Sequence, residues 1–317
     1  MDDERIVDDQ LRMVFLCCHP ALSVESQSAL TLRLVGGLST EEIAAAFLVP
    51  VSTLAQRISR AKKKVRDAGI PLRLPDELDE RIAGVLSTLY LIFNEGYLSH
   101  DPDGEVSRVD LCAESIRLTE RLAELLPNSA EVFGLLALER FHEARRDGRF
   151  NAEGDLVLLA DQDRTTWSMD LIEAGNSAMA TAMRQRAPGR FQLEAMIAGT
   201  HTNARTADDT DWTLISKLYA QLVQMSSSPV IELNRAVAVA MADGPHAGLR
   251  LLEPLMSNAD LADYHLLHST NAELHMRAGE YEPAKVSIEK ALRLVPNQAE
   301  RSLLEGRLAT VVAELGL

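Results

Sequence analysis

Apolar residues recur three and four positions apart along almost the whole chain, as in Leu78, Ile82, Val85, Leu89 and Ile92, and again in Val109, Cys112 and Ile116. That spacing gathers side chains on one face of an α-helix, whereas a half-buried strand needs alternation at every second residue. An all-α fold is expected. Aromatic residues make up only 4% of the 317, too few for sheets held by aromatic cross-strand pairs. Hydrophobic residues account for 46% and charged residues for 25%. This balance buries a sizeable core and excludes disorder, collagen and small disulfide scaffolds.

No window reaches the roughly 18 to 20 consecutive apolar residues that cross a bilayer. Residues Met1 to Asp9 are acidic where a signal peptide is basic and then apolar. A cytoplasmic chain without a membrane partner is expected. Cys17, Cys18 and Cys112 form no matched set of pairs, so free thiols in a reducing compartment are expected as well.

The formal net charge of -15 argues against wrapping nucleic acid, which is driven by Lys and Arg displacing counterions from phosphate. The charge is unevenly spread. Between Val51 and Pro75 seven basic residues (Arg57, Arg60, Lys62, Lys63, Lys64, Arg66 and Arg73) stand against the single acid Asp67, while residues 76–317 hold 22 basic and 38 acidic residues. A small basic stripe on a large acidic body suggests one part that meets a polyanion and another that stays soluble or meets protein. The change of sign coincides with Asp67 to Asp76, which carries Gly69, Pro71 and Pro75 and few strong helix formers. The expected division is residues 1–66, a linker at 67–75, and a helical part at 76–317.

Ser39 to Arg66 is the most informative stretch. Ser39 followed by Glu42 is a capping box that opens a short helix with Ile43, Ala44 and Phe47. Leu48 to Val51 makes a turn, and Ser52 is placed to cap a second helix. There Leu54, Ile58, Ala61 and Val65 share one face. The opposite face presents Thr53, Gln56, Arg57, Arg60, Lys63 and Lys64, a set suited to a major groove. Gly36 and Gly37 end a preceding helix from Val24 to Val35. Three helices around one small core, a helix-turn-helix, follow.

Further along, Ala278 to Ala284 with Ile288, Ala291, Leu292 and Pro296 matches the second half of a tetratricopeptide repeat, where small residues let two helices approach closely. His268, Ala272 and His275 fit its first half less well. A fainter copy lies upstream, where Gly244 precedes Gly279 by 35 residues.

The segment Leu38 to Ala44 followed by Pro50 to Lys62 resembles region 4 of sigma-70-type initiation factors. Asp9 to Leu22, Leu89 to Tyr97, Arg108 to Ala113, Asp161 to Trp167 and Tyr264 to His268 are similar to the extracytoplasmic-function (ECF) group that carries a long C-terminal tetratricopeptide-like extension. The resemblance implies that Ser52, Thr53, Gln56, Arg57 and Arg60 meet the promoter minus-35 element, with Lys62, Lys63 and Lys64 on its backbone. It also implies docking of region 4 on the β flap of core RNA polymerase, through the apolar side of the helices between Asp8 and Val35. The extension is implied to be needed for activity and to take a regulatory protein or ligand. The family's region 2 domain has no counterpart in this sequence, so a truncated chain that binds minus-35 DNA weakly and does not open a promoter alone is expected. The contrasting reading is a helical-repeat scaffold or ligand-sensing regulator that acts without core polymerase.

No phosphate-binding Gly-rich loop, nucleophile elbow or two-histidine metalloprotease motif occurs, and no catalytic residue, cofactor or metal is expected. Asp263, His265, His268 and His275 fall on one or two turns of helix, where His265 and His268, or His268 and His275, can share a face. A zinc site needs three or four convergent ligands with an ordered second shell, however, and repeat helices often carry His in ordinary packing. The adjacent Cys17, Cys18 and His19 diverge by about 100° per helical residue. Asp161, Asp163, Asp208, Asp209 and Asp211 read as acids at helix N-termini. Asn94 to Tyr97 reads as a helix end made by Gly96.

Overall fold

The computed structural model describes residues 12–47, 49–67, 69, 78–98, 111–151, 156–226, 228–295 and 298–316. Among them there is no strand, only an isolated antiparallel bridge between Phe150 and Leu156; the fold is all-α. Most of the expected linker at 67–75 lies outside the described residues.

The chain divides into two compact units, Met1–Glu143 with Asp170–Ala195, and Ala144–Met169 with Met196–Leu317. In the first, residues 12–17 (α1) precede α2 (Val24–Leu34), α3 (Thr40–Ala46), α4 (Val51–Asp67), α5 (Leu78–Leu98), α6 (Leu111–Leu125) and α7 (Ala130–Glu143). Helix α8 (Met169–Arg184) follows, and α9 (Arg190–Asn203) begins in this unit and ends in the second. Helices α2, α3 and α4 pack on one another, and α5 packs on α2, α6 and α7. The helix-turn-helix therefore shares its unit with the helices that follow it.

Gly96 does not end α5, which continues to Leu98. A Cβ at Gly96 would stand 2.8 Å from Leu111 and 2.9 Å from the backbone of Cys112, so this glycine lets α6 cross against α5. The close approach offsets the roughly 1 kcal/mol that glycine costs inside a helix. Phe141 lies over Gly175 in the same way.

The second unit holds α10 (Trp212–Met225), α11 (Pro229–Asp243), α12 (Pro245–Leu252), α13 (His265–Arg277), α14 (Tyr281–Leu294) and α15 (Gln298–Glu314). Neighbours in sequence are neighbours in space, and short connections make antiparallel pairs. Ala272, Ala284, Ile288 and Ala291 are fully buried where α13 meets α14. Leu233, Ala236, Ala240, Leu252 and Leu274 form the core between α11, α12 and α13.

Candidate nucleic-acid interface

The capping box forms as the sequence indicates. Ser39 N–H donates to Glu42 at 2.7 Å, and Glu42 N–H donates to Ser39 Oγ at 3.0 Å. These bonds hold the Glu42 carboxyl below its ordinary range. Arg33 reaches from α2 to donate to the Leu38 carbonyl at 2.7 Å, which fixes the approach to α3. Ile43, Ala44, Leu54, Ile58 and Ala61 are buried between the helices and Val65 is half-buried.

One detail differs from expectation. Helix α4 starts at Val51, and the Pro50 carbonyl accepts from the N–H groups of Thr53 and Leu54 at 2.9 and 3.1 Å. Ser52 thus sits inside the first turn and does not cap it. Proline suits the position before the helix because the N–H it lacks has no partner to meet there.

Thr53, Gln56, Arg60, Lys63 and Lys64 are exposed and Arg57 is half-buried. At about 100° per residue these six fall within an arc of about 120°, turned away from the buried stripe. Ser52, also exposed, borders that arc. Lys62 does not share it; it lies about 100° beyond Lys63, and its charge is felt by Cys17 on α1. Arg57 is near enough to Glu25, at the start of α2, to help hold that carboxyl low, after Glu25's own backbone N–H and the Ser23 hydroxyl. Among the described residues no ion pair engages Arg57, Arg60, Lys62, Lys63 or Lys64; Arg66 pairs with Asp67 at 3.7 Å. A helix with a buried apolar stripe and an unpaired cationic face, supported by two shorter helices, is built to lie against a polyanion.

Residues 12–65 match the family described as sigma-70, region 4. Residues 81–183 match a family of unknown function, DUF6596. The uncharacterized protein R00370 of Rhizobium meliloti (strain 1021) is 42% identical over 316 residues, which span 99% of this chain and 74% of that protein. The chain belongs to this family and carries a sigma-70 region 4 domain. Region 4 here comprises α1 to α4, and α5 to α8 make up most of the DUF6596 segment.

Other candidates resolve into structural roles. His265 meets Glu300 at 2.8 Å, His275 meets Glu280 at 2.6 Å, and His268 is buried with Nε2 3.4 Å from the Ala262 carbonyl. Among the described residues no group of three or more His, Cys, Asp or Glu is placed to hold a metal. Cys17, Cys18 and Cys112 are buried and form no disulfide, and burial pushes the thiols of Cys17 and Cys18 up. His19 Nδ1 accepts from the Ala21 N–H. Asp163 accepts from Thr165 N–H and Asp211 from Leu214 N–H, as acids at helix starts do. Arg164, from the same stretch as Asp163, donates to the carbonyls of His201 and Ala204 at the end of α9 and lies 4.6 Å above the Trp167 ring.

Sequence reasoning missed Glu139. It is fully buried on α7, where its Oε1 lies 2.6 Å from Ser115 Oγ, itself 2.8 Å from the Leu89 carbonyl. One hydroxyl carries one proton, so both contacts are hydrogen bonds when Glu139 is the neutral acid and donates to Ser115. Burial raises its pKa to about 8, which agrees. Its only sequence signal is an acid among apolar neighbours, Leu136, Ala137, Leu138 and Phe141.

Proposed function

We propose that the chain is a sigma factor of the ECF group that reads the promoter minus-35 element with α4, works with core RNA polymerase, and is controlled through a tetratricopeptide-like extension. The observation that carries this is the unpaired cationic face of α4 in a region 4 domain. Gln56 has the paired donor and acceptor that meet an adenine edge in the major groove, Arg57 and Arg60 have the paired donors that meet guanine, and Thr53 suits a thymine methyl. Lys63 and Lys64 continue the face toward phosphates, Ser52 meets the backbone at the helix start, and Lys62 meets it from the flank. The chain performs no chemistry of its own in this reading; a sigma factor directs the polymerase that does. The close, alanine-lined crossing of α13 and α14 supports the repeat assignment. Among the described residues no helix is long and apolar enough to cross a membrane.

The test uses the full chain. Binding to duplex DNA is followed by fluorescence anisotropy over a range of salt, for the parent and for Lys63→Ala with Lys64→Ala, the two cations placed on phosphates. Removing one cation from the phosphate region flattens the plot of log affinity against log salt by about 0.9, so removing two should flatten it by about 1.8. An unchanged slope, or binding that ignores both substitutions, overturns the assignment.

A further inference from the structure

The middle of helix α2 is buried all round, while its ends, at Val24 and Leu34, are exposed. Six consecutive residues, Gln27 to Leu32, are inaccessible, and at about 100° each they sweep the whole circumference. Helix α4 takes one side of α2, and α5 takes another. Along α5, Arg81, Gly84 and Thr88 follow at spacings of three and four. Arg81 donates to the Phe15 carbonyl at 3.0 Å, Gly84 lies beside the Cys18 carbonyl, and Thr88 Oγ1 lies 2.9 Å from both Gln27 Oε1 and the Gly84 carbonyl, sharing its one proton between them. Gln27 Nε2 in turn holds the carbonyls of His19 and Leu22. The expected polymerase-docking side of the helices between Asp8 and Val35 is thus not an open apolar face over its described part.

We infer that α5 is a cis-acting cover on region 4, and that it competes with core polymerase for the face of α1 and α2 turned away from α4. The inference rests on the reading that region 4 works with polymerase. A region 4 that lies on DNA through α4 has this opposite face as its broad surface for a second macromolecule, and here a segment of a different family occupies it. The contact includes polar groups, Arg81 on the Phe15 carbonyl and Thr88 beside Gln27, whose hydrogen bonds water can replace when they part. The DUF6596 segment then controls region 4 by lifting or staying down.

Full-length chains are titrated against core RNA polymerase and, separately, against a mixed-sequence DNA duplex. Thr88→Val keeps the side-chain shape but removes the hydroxyl that meets Gln27, and losing such a bond favours the lifted state by about three- to tenfold. Polymerase affinity should rise by up to that factor while duplex affinity stays level. Gly84→Ala works the other way. Its methyl would sit in ordinary contact, 3.9 Å from the Cys18 carbonyl, a contact present only with the cover down, and should weaken polymerase binding about twofold. Opposite shifts support the cover. Equal affinities in all three chains overturn it, as does a Thr88→Val chain that melts normally yet binds polymerase less well. If no form binds polymerase while duplex binding still needs Arg57, the cover and the polymerase reading both fall and DNA reading stands. If duplex binding ignores Arg57 as well, the proposed function itself fails.

Discussion

Helix α4 and the helical body treat charge in opposite ways. In the body, seven arginines find carboxylates within the fold: Arg117 with Glu114, Arg121 with Glu124, Arg140 with Glu120, Arg190 with Glu194, Arg235 with Glu232, and Arg277 and Arg307 with Glu273, all between 2.6 and 3.2 Å. On α4 the cations from Arg57 to Lys64 are left without such partners among the described residues. Internally paired charges neither seek nor repel a partner strongly, whereas an unpaired row lowers its energy by meeting an external anion. The acidic excess elsewhere acts with this contrast, because it repels an external polyanion from the rest of the surface.

Buried ionisable groups carry the contrast inward. In the first unit Glu139 is neutral in the folded state, with a pKa raised from 4.5 to about 8 by burial. In the second unit His201 is neutral too, its pKa lowered from 6.5 to about 4 by burial and then by the charges of Arg145 and Arg164. The two act in opposite directions, and their windows overlap between about pH 4.5 and 6.5. Glu139 contributes its full stability below about 4.5 and loses it as pH rises, because the unfolded carboxyl ionises first. Denaturant unfolding of the parent should show that stability falling by up to about 1.4 kcal/mol per unit until about pH 8. Glu139→Gln should remove this slope and be the more stable protein at pH 8; a slope that survives would mean that the carboxyl is already ionised in the fold.

His201 gives the second largest effect. Its stability is complete above about pH 6.5 and is lost as pH falls towards about 4, since only the unfolded imidazole takes up the proton there. The loss should amount to roughly 2 kcal/mol for a group not fully shielded from water. His201→Gln should flatten the acid limb without touching the alkaline one, and a change in both limbs would break the assignment of one group to each unit. Ser39→Ala, which removes half of the capping box, should cost about 1 kcal/mol in thermal unfolding and weaken duplex binding only through α3. The smallest effect sharpens the opening contrast. Arg121→Ala on the body and Arg60→Ala on α4 should each change stability by less than about 0.5 kcal/mol, yet only Arg60→Ala should weaken DNA binding. Equal weakening by both would show that α4 is not special.

Much of the helix-turn-helix is legible because its signals are local. Ser39 and Glu42 find each other three residues apart, and Leu54, Ile58 and Ala61 share a face by spacing alone. Where the structure departs from such signals, the reason is physical. Ser52 has the chemistry of a cap, but the carbonyl of Pro50 opens the helix one step earlier, a choice that a serine two residues after proline does not reveal. Lys62 shares the charge of Lys63 and Lys64, yet adjacent residues on a helix point about 100° apart. Gly96 has the form of an end signal, when its use is to admit α6.

What the sequence determined by itself is whatever repeats within one or two helical turns: the all-α class, the capping box, the buried and cationic faces of α4, and the small residues between α13 and α14. Only the tertiary structure decided that α5 lies along α2, that Thr88 meets Gln27, that Glu139 sits with Ser115, and that His265, His268 and His275 each find a different partner. Those contacts join residues up to 61 positions apart, and no local period encodes which distant helix face will close upon which. That is settled only when the whole core closes.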